Sequence, residues 1–165
     1  MATVKFQGAP VKTVGELPEA GAVAPAFSLA AQDLSDFDLE SLKGKRIVLN
    51  IFPSIDTDVC AASVRKFNVE ASSLPDTVVV CVSADLPFAA SRFCSANGIK
   101  NVITGSTFRS DFGKAYGVEF AEGPLRGLMA RSVVVIDKDG KVLGAKMVEE
   151  QTNEPDYQYV ASLLA

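Results

Sequence analysis

The stretch 46-RIVLNIFPSIDTDVCAASVRKFN-68 decides the architecture. Arg46 to Phe52 is a nearly continuous apolar run, the pattern of a strand covered on both faces, and Pro53 stops it. Pro53 to Asp58 is a loop rich in helix-capping residues. From Val59 to Ala71 the spacing becomes helical, with Cys60, Val64, Phe67 and Ala71 on one face. The sequence therefore places Cys60 in the first turn of a helix, on its buried side.

Working outward, Thr77 to Ser83 reads as a second buried strand. A helix follows from about Leu86 to Asn97, with Pro87 in its first turn and Gly98 as its stop. Val102 to Thr104 is a short strand, and Ser106 to Tyr116 a helix ending at Gly117. Ser132 to Ile136 and Lys141 to Met147 flank Asp137-Lys138-Asp139-Gly140, an antiparallel hairpin, and a last helix starts near Asn153-Glu154-Pro155. Upstream, Val4 to Gln7 and Val11 to Val14 suit an N-terminal β-hairpin around Gly8-Ala9-Pro10. Ala24 to Leu29 and Phe37 to Leu39 read as short strands. No repeat or flexible linker interrupts residues 1–165, so one domain is expected. The order predicts an α/β fold with a central mixed sheet flanked by helices, and that order is thioredoxin-like.

Composition narrows the chemistry. The chain has 165 residues, three cysteines and no histidine. Ser-His-Asp and Cys-His nucleophile systems, H-E-x-x-H zinc sites and His-ligated haem all need an imidazole, so any nucleophile here is activated by other means. At 48% hydrophobic, the chain has enough apolar side chain to fold without disulfides or metals. Lys plus Arg number 16 against 20 Asp plus Glu, with no block of like charge, which argues against a nucleic-acid partner. No apolar run approaches the ~20 residues of a membrane helix, and MATVKFQGAP lacks a signal-peptide core, so a soluble, cytoplasmic protein without membrane partners is expected. An odd cysteine count without a C-x-x-C pair fits neither a secreted disulfide framework nor a zinc knuckle.

The three cysteines lie in different surroundings. Cys81 sits within a Val-rich strand and reads as core, its thiol held neutral by desolvation. Cys60 opens a helix, where unpaired N–H groups and the dipole favour an anion, so a thiol there can fall below the ordinary value of about 8.5. It can equally pack as part of the apolar stripe. Thr57, three residues earlier, can donate to a thiolate or oxyanion, and Pro53 shapes the turn. Cys94 lies late in its helix beside Leu86, Ala90 and Phe93, where it alone would read as an edge-of-core residue. Arg131, just before Val133-Val134-Val135-Ile136, would alone read as a solvated strand-end residue.

The segment around Cys60 contains P-x-x-x-T-x-x-C, which resembles the peroxidatic signature of peroxiredoxins, and its wider wording resembles their thiol peroxidase subfamily, the atypical two-cysteine kind. VVCVSADLPFAASRFC, NVITGSTFRSDFGKAYGV, GPLRGLMARSVVVID and TNEPDYQYV resemble it too, so the likeness runs through nearly the whole chain from FQGAPV onward. It implies an antioxidant peroxidase in which Cys60 is peroxidatic, Cys94 is resolving, and Pro53, Thr57 and Arg131 form the substrate site. A guanidinium cannot deprotonate and offers several fixed donors, so Arg131 would take the place of the missing histidine.

The resemblance further implies hydroperoxide substrates, with alkyl hydroperoxides preferred, thioredoxin as reductant, a homodimer and a Cys60–Cys94 redox disulfide, with no metal or other cofactor. Two sulfurs on separate helices commonly lie beyond the ~7 Å Cα limit for a disulfide, so parts of both helices are expected to unwind between the chemical steps. Asp58 departs from the subfamily pattern, which has a small residue or proline there. Its charge could oppose a neighbouring thiolate or favour the helix start. A dithiol oxidoreductase would carry a second cysteine where Thr57 stands; a non-catalytic thiol redox sensor or interaction module remains the alternative to an enzyme.

Overall fold

The computed structural model describes residues 1–165. Its first two strands, β1 (Thr3–Phe6) and β2 (Ala9–Lys12), form a separate hairpin. The strands β3 (Ser28–Ala30) and β4 (Asp36–Asp38) precede a one-turn helix α1 (Leu39–Leu42). Then come β5 (Arg46–Ile51), α2 (Asp58–Ala71), β6 (Thr77–Ser83), α3 (Pro87–Asn97) and β7 (Ile103–Ser106). The chain continues through α4 (Phe112–Ala115), β8 (Ser132–Ile136), β9 (Val142–Met147) and α5 (Tyr157–Leu164). Seven strands make one mixed sheet in the order β4-β3-β7-β6-β5-β8-β9. β5, β6 and β7 run parallel at its centre, and β8 lies antiparallel to β5.

Strand alternation sorts the core into two layers. Ile47, Leu49 and Ile51 of β5, Val80 and Val82 of β6 and Val134 and Ile136 of β8 face one side, where Phe27, Phe112 and Tyr116 cover them. Val48, Val79, Cys81, Val133 and Val135 face the other, under α2, α3 and α5. The same alternation puts Cys81 on the side of the sheet where Cys60 and Cys94 are buried. Val64 and Phe67 of α2 are fully buried, and burying such a side chain contributes about 1.5–3 kcal/mol. The middle of α2 is therefore anchored more firmly than its first turn, which depends on a cap contributing about 1 kcal/mol.

The expected elements are all present with shifted bounds. The N-terminal turn is the two-residue Gln7-Gly8, both at positive φ, so pairing starts at Phe6↔Ala9 rather than after Pro10. Phe37 and Asp38 lie in β4, but Leu39 begins α1 because the Asp38 carboxylate accepts the Ser41 N–H at 2.9 Å. The helix expected over 106–116 is only α4. Ser106 extends β7, residues 107–110 form a turn, and the helix ends before Gly117, where a Cβ would collide with the Glu16 backbone. α5 starts at Tyr157 rather than near Asn153 because Asp156 caps it, accepting the Tyr159 N–H at 3.0 Å. No helix is long and apolar enough to cross a membrane.

Candidate active site

The loop between β5 and α2 delivers Cys60 to the start of a helix. Thr57 is the N-cap: its Oγ1 accepts the Cys60 N–H at 3.3 Å and donates to the Ser54 carbonyl at 3.1 Å. The hydroxyl proton is thus directed at Ser54 and not at sulfur in this state. Asp58 is exposed at the first helical position. Cys60 itself is fully buried.

Arg131, 3% exposed, lies at the junction into β8 rather than in solvent. Its Nη1 donates to Cys60 Sγ at 3.3 Å and its Nε to the Gln151 carbonyl at 3.0 Å. The Gln151 side chain closes the other side, accepting the Arg131 N–H while its Nε2 donates to the Arg131 and Val148 carbonyls at 3.2 and 2.6 Å. No carboxylate forms an ion pair with Arg131. Burying a cation without a counter-ion is costly, and the side-chain atom that accepts from this guanidinium is Cys60 Sγ. Arg131 and Thr57 also line a pocket of about 180 Å³ with Phe6, Pro53, Val59 and Leu125. Asp58, Gln151 and Thr152 complete its lining, and most of its wall surface is apolar around the one buried guanidinium.

Cys94 shares the apolar layer with Cys60 but is not bonded to it, and all three thiols are free. Burial pushes the Cys94 thiol above its ordinary value, while the Gln32 side chain offsets part of this. Cys81 is pushed up to about 12, chiefly by burial, against a contact from Asn50 Nδ2 at 3.7 Å. The fold thus brings Cys60, Thr57, Pro53 and Arg131 together, with Cys94 in the same apolar layer but unbonded to Cys60.

Residues 19–161 match the family described as Redoxin. The chain belongs to the Redoxin family. It is a peroxiredoxin-type, thiol-dependent peroxidase, in accord with its relatives: it is 49% identical over 164 residues to a thiol peroxidase of Corynebacterium glutamicum and 48% identical to one of Mycobacterium tuberculosis, covering 99% of each chain in both cases. Among solved structures it resembles a peroxiredoxin-like protein from Aquifex aeolicus, with a TM-score of 0.94 and 38% identity over 99% of this chain and 96% of that one. A thiol peroxidase from Chromobacterium violaceum, 24% identical with a TM-score of 0.91 over 99% of this chain and 96% of that one, shares the fold.

Two features of this redoxin's site had no signal in its sequence. Gln151 clasps Arg131 from a segment without helical or strand periodicity, one residue before the stretch TNEPDYQYV. Asn50, fully buried in β5, donates to Ser63 Oγ at 3.1 Å, and Ser63 donates to the Cys60 carbonyl at 2.7 Å. Asn50 follows three apolar residues and reads in sequence as one more inward position of a buried strand.

Proposed function

We propose that this redoxin reduces hydroperoxides through Cys60, with Cys94 as the resolving thiol. The observation that carries the reading is the buried Arg131 guanidinium, without a carboxylate partner, donating to Cys60 Sγ at 3.3 Å. The Cys60 thiolate attacks the terminal peroxide oxygen in line with the O–O bond. Its electron pair forms the S–O bond as the O–O bond breaks, and the other oxygen leaves as alcohol or water after gaining a proton, with Cys60 left as a sulfenic acid. Arg131, the backbone at the helix start and Thr57, once its hydroxyl turns from Ser54, stabilise the charge on the leaving oxygen. Pro53 shields the pocket, whose apolar walls favour alkyl hydroperoxides.

The Cys94 thiol then condenses with the sulfenic acid, forming the Cys60–Cys94 disulfide and releasing water. Thioredoxin, an external dithiol, reduces that disulfide and is itself oxidised. The geometry of α3 supports such a movement. Its N-cap, Leu86, makes no side-chain cap bond, and the helix buries only Pro87 and Cys94. A homodimer, a cytoplasmic location and a part in redox homeostasis complete the reading.

The test is turnover. With thioredoxin, thioredoxin reductase and NADPH, cumene hydroperoxide should drive many equivalents of NADPH oxidation. A single equivalent or none would favour the non-catalytic redox sensor.

A further inference from the structure

Asp85 belongs to neither cysteine helix but is bonded to the approaches of both. Its Oδ1 accepts from Ser54 Oγ at 2.8 Å, and its Oδ2 accepts from the Ile55 N–H and from Ser83 Oγ, each at 2.7 Å. Its carbonyl accepts from Ser106 Oγ, and its N–H donates to Ser83 Oγ at 3.3 Å. Ser54 and Ile55 stand in the loop that leads into Thr57 and Cys60. Asp85 itself immediately precedes Leu86, the N-cap of α3. Ser83 and Ser106 pair where β6 and β7 end, at the C-terminal end of the parallel strands.

One carboxylate therefore pins the Cys60 loop to the sheet and to the head of the helix that carries Cys94. A second link, Arg92 to Asp56 at 3.4 Å, spans the same two regions, but its side chains are 71% and 66% exposed. Exposed pairs of that kind contribute little, whereas short bonds accepted by a part-buried carboxylate are among the stronger ones. The uncapped α3 supplies no comparable restraint of its own.

We propose that Asp85 is a positioning residue that sets the balance between peroxide reduction and disulfide closure. Its carboxylate holds the Cys60 loop in the arrangement that receives peroxide, and it must release Ser54 and Ile55 for the first turn of α2 to unwind toward Cys94. The proposal rests on the roles assigned above to Cys60 and Cys94. A loop held too long leaves the sulfenic acid exposed to a second hydroperoxide, which oxidises it to sulfinic acid while being reduced to alcohol or water. A loop held too loosely misplaces the sulfur for the first reaction.

The experiment follows Cys60 by rapid acid quench and peptide mass spectrometry in single turnovers of the full chain. Asp85→Ala should slow peroxide consumption and speed disulfide closure, each by about tenfold, the scale of one lost bond to a charged group. Asp85→Asn, which keeps an acceptor for the Ile55 N–H, should fall between this variant and wild type. Ser54→Ala removes one tie and should move both rates in the same directions by about twofold to threefold, a result that stands even if Asp85→Ala fails to fold. With excess hydroperoxide, all three should accumulate less Cys60 sulfinic acid than wild type.

Both rates falling together in Asp85→Asn and Ser54→Ala, or neither moving, would overturn the role of Asp85. Absence of a Cys60–Cys94 peptide from peroxide-treated wild type would instead overturn the cysteine assignments, and this proposal with them.

Discussion

Helices α2 and α3 cover the same face of the same sheet, each carries a buried cysteine, and they are held in opposite ways. α2 has a side-chain cap from Thr57 and fully buried Val64 and Phe67, and Phe67 meets Tyr157 of α5 with ring centroids 5.3 Å apart. α3 has no side-chain cap, and Leu86 and Phe88 at its start are 51% and 66% exposed. Its C-terminal clasp depends on Cys94, whose carbonyl accepts the N–H groups of Gly98 and Ile99. Moving Cys94 therefore undoes the last turn of its own helix. On the proposed mechanism the contrast divides the site into a more rigid half around Cys60, which needs fixed donors for the first step, and a looser half around Cys94, which must move for the next.

The largest effect separates the two sulfurs outright. Cys60→Ser should reduce NADPH-coupled turnover to background, whereas Cys94→Ser should consume one equivalent of hydroperoxide and then stall unless a small thiol is added. If both variants lost the first equivalent alike, the division of labour between the helices would fail.

The rigid half can be loosened at Arg131. Arg131→Met should lower kcat/KM by about a hundredfold to a thousandfold, the usual cost of removing one preorganised donor to developing charge. Arg131→Lys should recover only part of that, because an ammonium cannot reach Cys60 and the Gln151 carbonyl at once as the planar guanidinium does. Full activity in the lysine variant would show that charge alone suffices.

The loose half can be tightened instead. Leu86→Ser places a capping hydroxyl at the head of α3, which should stabilise that helix by about 1 kcal/mol and slow disulfide closure roughly fivefold without changing the first reaction. Hydrogen exchange across residues 87–97 reports the helix, and quenched peptide mapping reports the closure. Unchanged closure with slower exchange would mean that α3 does not open at its start.

The smallest effect concerns Cys81, the thiol that belongs to neither half. In the unfolded chain it ionises near the ordinary value of about 8.5, but in the fold burial pushes it up to about 12. Below the unfolded value both states keep the proton. Above it only the unfolded state releases the proton, so stability falls as pH rises toward 12. Cys81→Ala should keep peroxidase activity and show a shallower loss of Tm between pH 8.5 and 10.5. An equal slope in both proteins would remove Cys81 as the cause.

Much of the rigid half is legible in sequence, because strand, breaker, cap and helical stripe are all local signals between Arg46 and Ala71. The positions of Pro53, Thr57 and Cys60 follow from them, whereas their roles come from the family resemblance. Arg131 does not follow: a lone arginine before a strand reads as solvated, and only the family resemblance pointed to the buried position the structure gives it. Gln151 and Asp85 were not legible because their work is done by bonds to residues distant in sequence, which no periodicity records. The helix expected over 106–116 erred for a related reason. Ser106 is drawn into the sheet by pairing with Ser83 and Ala30, and the close approach of Glu16 fixes the end at Gly117.

The hold on Arg131 also bears on the order in which the molecule assembles. Gln151 reaches the guanidinium from a segment that is itself strapped to the N-terminal hairpin, with Lys5 bonded to Glu149 and Gln151 through the backbone and the N–H of Gly8 to the Glu150 carboxylate at 2.7 Å. Cys60, β5 and β6 lie close together in sequence and can form early, whereas pairings between residues so far apart form slowly. The apolar layer that covers Cys60 also includes Val133, Val135, Val160 and Leu164, so neither the burial of the thiol nor its contact with Arg131 is complete until the chain beyond residue 131 has docked.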